Sequence, residues 1–270
     1  MIFSPYRGRG LILSPSTLLR LPAEQHGRIG AALKTLKGSA DLSSQTPRVL
    51  DQGQRESCWA FSATTLKFIS DGPGAILQSP WYFACCLYGT YRAAATPPGQ
   101  PLPPLSDSGA ALDDVVTCFS KWGSVPFQAS ITDTSDIPDN DGGPIPETTL
   151  AKVQSGIGDL FGGPYDIAPT NAGDLVAASL EAGIPVWDGM LVGEAFQNYV
   201  AGQILGPCDP NDPTAGGHAT SIIGYKTVSG ARQFLVRNSW GSSWGDNGNF
   251  WMSEECLVSA MSLLPFVETR

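Results

Sequence analysis

The stretch Asp51-Gln52-Gly53-Gln54-Arg55-Glu56-Ser57-Cys58-Trp59-Ala60-Phe61-Ser62 places a thiol at the predicted start of a helix, with a glutamine six residues before it. From Ser57 to Ile69 the residues, Lys67 apart, are small or apolar without Gly or Pro, and Asp71-Gly72-Pro73-Gly74 then stops the run. A sulfur attacks carbonyls well only as thiolate, and a helix N-terminus with a nearby imidazole lowers its pKa. Gly216-Gly217-His218-Ala219 supplies the imidazole, and Arg237-Asn238-Ser239-Trp240-Gly241 supplies an amide to orient it.

Working outward, 270 residues with 42% hydrophobic content suffice for one large domain or two lobes around a cleft. A net charge of -9, from 25 acidic and 16 basic residues, argues against nucleic-acid partners and anionic membranes. No apolar run of about 18 residues is present, so a membrane span is not expected. The first ten residues lack the apolar stretch of an export signal, which leaves a cytoplasmic site or non-classical export open. No cofactor or metal is expected, and the expected state is a monomer. Cysteines stand at 58, 85, 86, 118, 208 and 256; if Cys58 is the nucleophile, the remaining five cannot all pair within the chain.

Residues 1–46 read as a leader, with one amphipathic helix from the spacing of Ile29, Ala32, Leu33 and Leu36. His26, the other histidine, reads as a solvated residue. Further helices are predicted over Ser79–Tyr88 and Ser108–Trp122, and loops over Thr96–Leu105 and 131–149. Ile184–Trp187, His218–Tyr225, Gln233–Arg237 and Asn249–Met252 read as strands between Gly, Asp and Asn turns. The expectation is an α+β fold with a helical lobe over roughly 50–165 and a β-rich, barrel-like lobe over roughly 166–270.

The chemistry of acyl transfer assigns the candidate roles. Gln52 could hold a tetrahedral oxyanion together with the Cys58 N–H. His218 could share a proton with Cys58 and later protonate a leaving amine. Asn238 could orient the imidazole, with Trp240 shielding that hydrogen bond from water. Each residue alone has a bland reading: Cys58 as a core residue, His218 as a satisfied loop residue, Asn238 to Gly241 as a turn. Their joint occurrence, in this order, is what points to a nucleophile.

Gln52-Gly53, Ser57-Cys58-Trp59-Ala60-Phe61-Ser62, Gly217-His218-Ala219, Gly224-Tyr225 and Asn238-Ser239-Trp240-Gly241-Ser242-Ser243-Trp244-Gly245 closely resemble papain-family cysteine peptidases. Gln197-Asn198-Tyr199 and Ile204-Leu205-Gly206-Pro207-Cys208 fit the same pattern, so the resemblance runs from about Arg48 to about Cys256. It implies a papain-like fold of two lobes, peptide or protein substrates in the cleft between them, and a zymogen form. It also implies that Ser108 and Gly109 pair with substrate backbone and that Ala219 borders the pocket for the second residue before the scissile bond.

Departures from the pattern fall mostly beside the nucleophile. Arg55 stands where the family has a disulfide cysteine, and Glu56 where it has a small residue. Glu56 could favour basic residues near the cut or simply face solvent. Cys58 lies 160 residues before His218 and 180 before Asn238, longer than the roughly 130–150 of the family. The resemblance pairs Cys208 with Cys256, and Cys85 or Cys86 could pair with Cys118. Residues 1–46 could lie over the cleft as an inhibitory propeptide or form a permanent arm. A peptidase is the reading that follows; an acyltransferase on the same scaffold and a silent peptide-binding protein are the alternatives.

Overall fold

A computed structural model describes residues 11–12, 23–101, 103, 106–111, 114–115, 118, 160–161, 172–209, 211–259, 262–265 and 268–269. Along the chain come β1 (Leu11–Ile12), α1 (Ala23–Leu33), β2 (Ser39–Asp41), α2 (Cys58–Asp71), α3 (Pro80–Ala95), β3 (Ala110–Ala111) and β4 (Leu160–Phe161). They are followed by α4 (Ala172–Glu181), β5 (Val186–Val192), α5 (Glu194–Gln197), β6 (Ile204–Leu205), β7 (Gly216–Val228), β8 (Ala231–Arg237) and β9 (Asn249–Ser253). The last elements are α6 (Glu254–Val258), β10 (Ser262–Pro265) and β11 (Glu268–Thr269).

The main sheet runs β10-β5-β7-β8-β9-β6, with β2 pairing β7 beside that path. β5 covers β7 from Gly216 to Ile222, and β2 takes over at Gly224–Lys226, beyond a bulge. A Cβ on Gly224 would stand 2.9 Å from the Ala40 carbonyl, so only glycine admits β2 at this point. β5 is buried on both faces, and its alternation divides the two cores. Trp187 joins Trp59, Phe83, Leu87 and Tyr88 on the helical side, whereas Val186, Met190 and Val192 join Phe196, Phe234, Trp240 and Phe250 in the β-rich lobe. The α+β, two-lobe expectation holds.

α2 is buried nearly all round, as its unbroken small and apolar sequence requires. It ends at Gly72 (φ 73°), whose N–H closes on the Ile69 carbonyl. The helix is pinned to the sheet through Ser62, whose hydroxyl accepts the Trp187 indole N–H at 2.7 Å and whose carbonyl accepts the Ser221 hydroxyl at 3.3 Å.

Three expectations need correction. The helix predicted from Ser108 does not begin there: Gly109 has φ 70° and Ala110–Ala111 form β3, so the glycine turns the chain into an extended edge. Cys208 and Cys256 are reduced thiols rather than a disulfide. Cys118 is likewise a reduced, buried thiol within the helical core, which removes its pairing with Cys85 or Cys86. The loop expected over 131–149 lies outside the described residues.

The segment before Pro47 is woven into the β-rich lobe. Ile29 on α1 packs on Ala178 and Ile184, β2 extends the sheet, and the Arg237 guanidinium holds the Pro47 carbonyl at 3.0 Å and the Thr46 hydroxyl at 2.8 Å. Burial lowers the Arg237 pKa to about 10, leaving it charged at neutral pH. Ile29→Ala should therefore cost the whole fold about 2–4 kcal/mol, read as a lower midpoint in denaturant unfolding. An unchanged midpoint would mean that α1 is not part of the cooperative unit.

Candidate active site

Cys58 opens α2, where the N–H groups of the first turn have no acceptor within the helix. Its Sγ accepts the backbone N–H of Ala219 at 3.3 Å, which places the sulfur against the very segment of β7 that carries His218. A backbone donor on sulfur favours the thiolate over the thiol. Cys58 and His218 are both fully buried.

On the far side of the imidazole, Nε2 lies 2.9 Å from Asn238 Oδ1. The orientation of the Asn238 amide is fixed independently, because Oδ1 also accepts the Ser239 backbone N–H at 2.8 Å. Oδ1 being the acceptor, Nε2 must carry the proton, and Nδ1 is the ring nitrogen left for proton exchange. The rings of Phe196 and Trp240 pack on the imidazole with centroids 5.4 and 5.0 Å away, keeping water from the Nε2–Oδ1 bond.

Gln52 is drawn into the same network from the loop before α2. Its backbone N–H bonds the Ser239 carbonyl at 2.8 Å, and its side-chain Oε1 accepts the Ser239 hydroxyl at 2.5 Å. Nε2 donates a hydrogen to the Arg55 carbonyl at 2.7 Å. Asp51 bridges to Trp240, and Gly241 (φ 76°) sits so close to the Asp51 carboxylate that a Cβ would approach it to 2.9 Å. The chain thus brings Gln52, Cys58, His218, Asn238 and Trp240 into one connected cluster.

The substrate-side candidates are placed less uniformly. Ala219 is buried against Cys58, whereas Ser108 is exposed and Gly109 buried at the entry to β3. Leu11–Ile12 of β1 pairs in parallel with Ala110–Ala111, and β1 also lies within reach of β7. Ser239 and Phe196 were absent from the sequence candidates. Ser239 stands inside the Asn-Ser-Trp-Gly run and could have been read there, but Phe196 shows itself only through packing.

Two comparisons bear on the whole arrangement. A family model described as papain family cysteine protease matches residues 164–266, which takes in His218 and Asn238. Among curated relatives, the cathepsin B-like CP3 of Giardia intestinalis is 27% identical over 240 residues, covering 82% of this chain and 70% of that protein. The chain is similar to the papain family of cysteine proteases.

A gut-specific cysteine proteinase of Caenorhabditis elegans is 30% identical over 220 residues, 75% of this chain and 62% of the nematode protein. Several plant relatives are matched over less than half of their length. The solved structure of xylellain, a cysteine protease from Xylella fastidiosa, superposes with a TM-score of 0.70 at 20% identity over the full length of both chains, which shows the fold.

Beneath the site β5 buries a carboxyl. Asp188 accepts the Thr220 hydroxyl at 3.0 Å, while its other oxygen is buried with no hydrogen-bond partner. Burial first, partly offset by the Thr220 bond, pushes its pKa up to about 7, and the neighbouring Cys256 thiol up to about 12 by burial and the Asp188 charge. An unfolded Asp titrates near 3.9, so between about pH 4 and pH 7 the folded state holds a proton that the unfolded state has lost. Stability must fall as pH rises through that window. Asp188→Asn should remove this part of the pH dependence of the thermal midpoint; an equally sloped variant would contradict it.

Proposed function

We propose that the chain hydrolyses peptide bonds through an acyl-enzyme on Cys58. The observation that carries this reading is the Ala219 N–H to Cys58 Sγ contact beside the His218–Asn238 bond. In the first half-reaction Nδ1 of His218 takes the Cys58 proton and the thiolate attacks the scissile carbonyl carbon. The developing oxyanion accepts the Cys58 N–H and a hydrogen of the Gln52 side-chain amide. The tetrahedral species collapses as the imidazolium protonates the leaving amine, giving a thioester. In the second half-reaction His218 removes a proton from water, the hydroxide adds to the thioester, and Cys58 leaves with the acid released. Asn238 holds the ring throughout, and Trp240 and Phe196 keep its Nε2 bond dry. Ser108, Gly109 and Ala219 would line the bound peptide.

The N-terminal segment has two parts on this reading. β1, set against β3 and near β7, lies where a peptide would thread between the lobes and so blocks it. α1 and β2, by contrast, are a permanent arm of the β-rich lobe. Removal of residues 1–22 should raise peptide turnover without lowering the thermal midpoint, whereas removal of 1–46 should lower the midpoint by stripping β2 from the sheet. Equal turnover by the full chain and the shorter truncation would sink the blocking role.

The central test is labelling by an epoxide thiol inhibitor read by intact mass. One adduct on the leader-released chain, absent in Cys58→Ala, is expected; no adduct would exclude the mechanism. Gln52→Ala should keep the adduct yet lower kcat about 100- to 1000-fold, the usual loss for one oxyanion donor. Retained kcat in that variant would remove Gln52 from the oxyanion site.

A further inference from the structure

The loop between Gln52 and Cys58 carries both oxyanion donors of the proposed reaction, one at each end. At the Gln52 end it is tied to the β-rich lobe through Ser239 and the Asp51–Trp240 bridge. At the other end, Arg55 occupies the position where the family resemblance expects a disulfide cysteine, so the loop has no covalent tie there. The structure puts a different fastening in its place. The Glu56 backbone N–H lies 3.1 Å from each carboxylate oxygen of Asp107, a residue 51 positions away. The Glu56 carbonyl, on the same residue, receives the Trp59 indole N–H at 3.0 Å and the Tyr88 hydroxyl at 2.8 Å. Tyr88 also comes within 3.0 Å of Asp107, so its single hydrogen is shared between the Glu56 carbonyl and the carboxylate.

We infer that Asp107 is a positioning residue for catalysis: with Tyr88 it clamps the Glu56 peptide to the helical lobe and so fixes where the Cys58 N–H points. Only Ser57 separates the clamped residue from the nucleophile, and planar peptides transmit a shift at Glu56 to the Cys58 N–H with little room for absorption. Asp107 also immediately precedes Ser108 and Gly109, which lead into the β3 edge. One carboxylate therefore sets the oxyanion loop and the substrate-facing edge relative to each other. Burial and the Asp107 charge hold the Tyr88 pKa far above its ordinary value, which keeps the hydroxyl a donor throughout the working range of pH. A charge-assisted bond to a backbone N–H is among the stronger non-covalent ties available to a loop.

This inference rests on the peptidase reading, and its test separates the two. Wild type, Asp107→Ala, Asp107→Asn and Tyr88→Phe are each prepared as the full chain and given the same leader-releasing cut between residues 13 and 22. Two rates are measured per titrated thiol: kcat for a peptide substrate and the rate of alkylation by iodoacetamide, which uses the thiolate but no oxyanion site. Asp107→Ala should lose about 10- to 100-fold in kcat, the range expected from a misplaced donor, with alkylation unchanged within about twofold. Asp107→Asn, which keeps an oxygen for the Glu56 N–H, should recover most of that kcat, and Tyr88→Phe should fall between the two. Where Asp107→Ala does not fold, the same pair of rates on Tyr88→Phe decides. Equal kcat in the variants and an active wild type overturns the clamp and leaves the peptidase reading standing; so does alkylation falling in step with kcat, the signature of a general loosening. A wild type that alkylates but hydrolyses no peptide defeats both.

Discussion

The site depends on how closely α2 can lie against β7. Cys58 belongs to the helix and His218 to the strand, and 160 residues of chain separate them, so only tertiary packing sets their relation. The Ala219 N–H on the Cys58 sulfur is the point of contact, and the Ser62 bonds to Trp187 and Ser221 hold the helix one turn further along. Small residues on α2 make the approach possible; a bulky side chain at Ala60 or Ala63, both fully buried, would lift the sulfur from the strand.

Once the two lobes meet, Ser239 links the rest of the machinery. Its backbone N–H fixes which Asn238 atom faces the imidazole, its carbonyl holds the Gln52 backbone, and its hydroxyl holds the Gln52 side chain. The ring-orienting amide and the oxyanion amide are therefore set by one residue. On the opposite side Asp107 and Tyr88 grip the same loop from the helical lobe, so the loop is strung between lobes. Such a loop is well placed to keep donors aimed at a developing charge, since reorganisation during the reaction is what preorganised sites avoid. Asp188 shows the contrary side of a buried polar site, being a carboxyl whose burial costs stability as pH rises.

Much of the site was legible because its chemistry needs particular residue types at sharp local signals: a cysteine before an unbroken apolar helix, a histidine after two glycines, and an asparagine in a turn beside tryptophan. The α+β order was legible from the change in periodicity around residue 184. What escaped was set by contacts between distant segments. Nothing local marks Asp107 as the partner of a peptide 51 residues earlier, and nothing in Phe196 announces that it packs on an imidazole. The helix expected from Ser108 starts later, with Asp114, Val115 and Cys118 helical, because Gly109 first takes a left-handed turn into β3, where a strand partner outweighs helical spacing. The family resemblance likewise implied a Cys208–Cys256 pair that the thiols do not form.

The most direct measurement of the account is the ultraviolet absorbance of the thiolate in the leader-released chain, titrated against pH and taken as a difference from Cys58→Ala. An imidazolium partner, the Ala219 N–H and the start of α2 all favour the charged sulfur, so the account predicts a thiolate band persisting far below the ordinary thiol pKa of about 8.5 and lost in one step at acid pH. A difference spectrum that titrates only near that ordinary value would contradict it, since Cys58 would then be a buried thiol rather than a nucleophile.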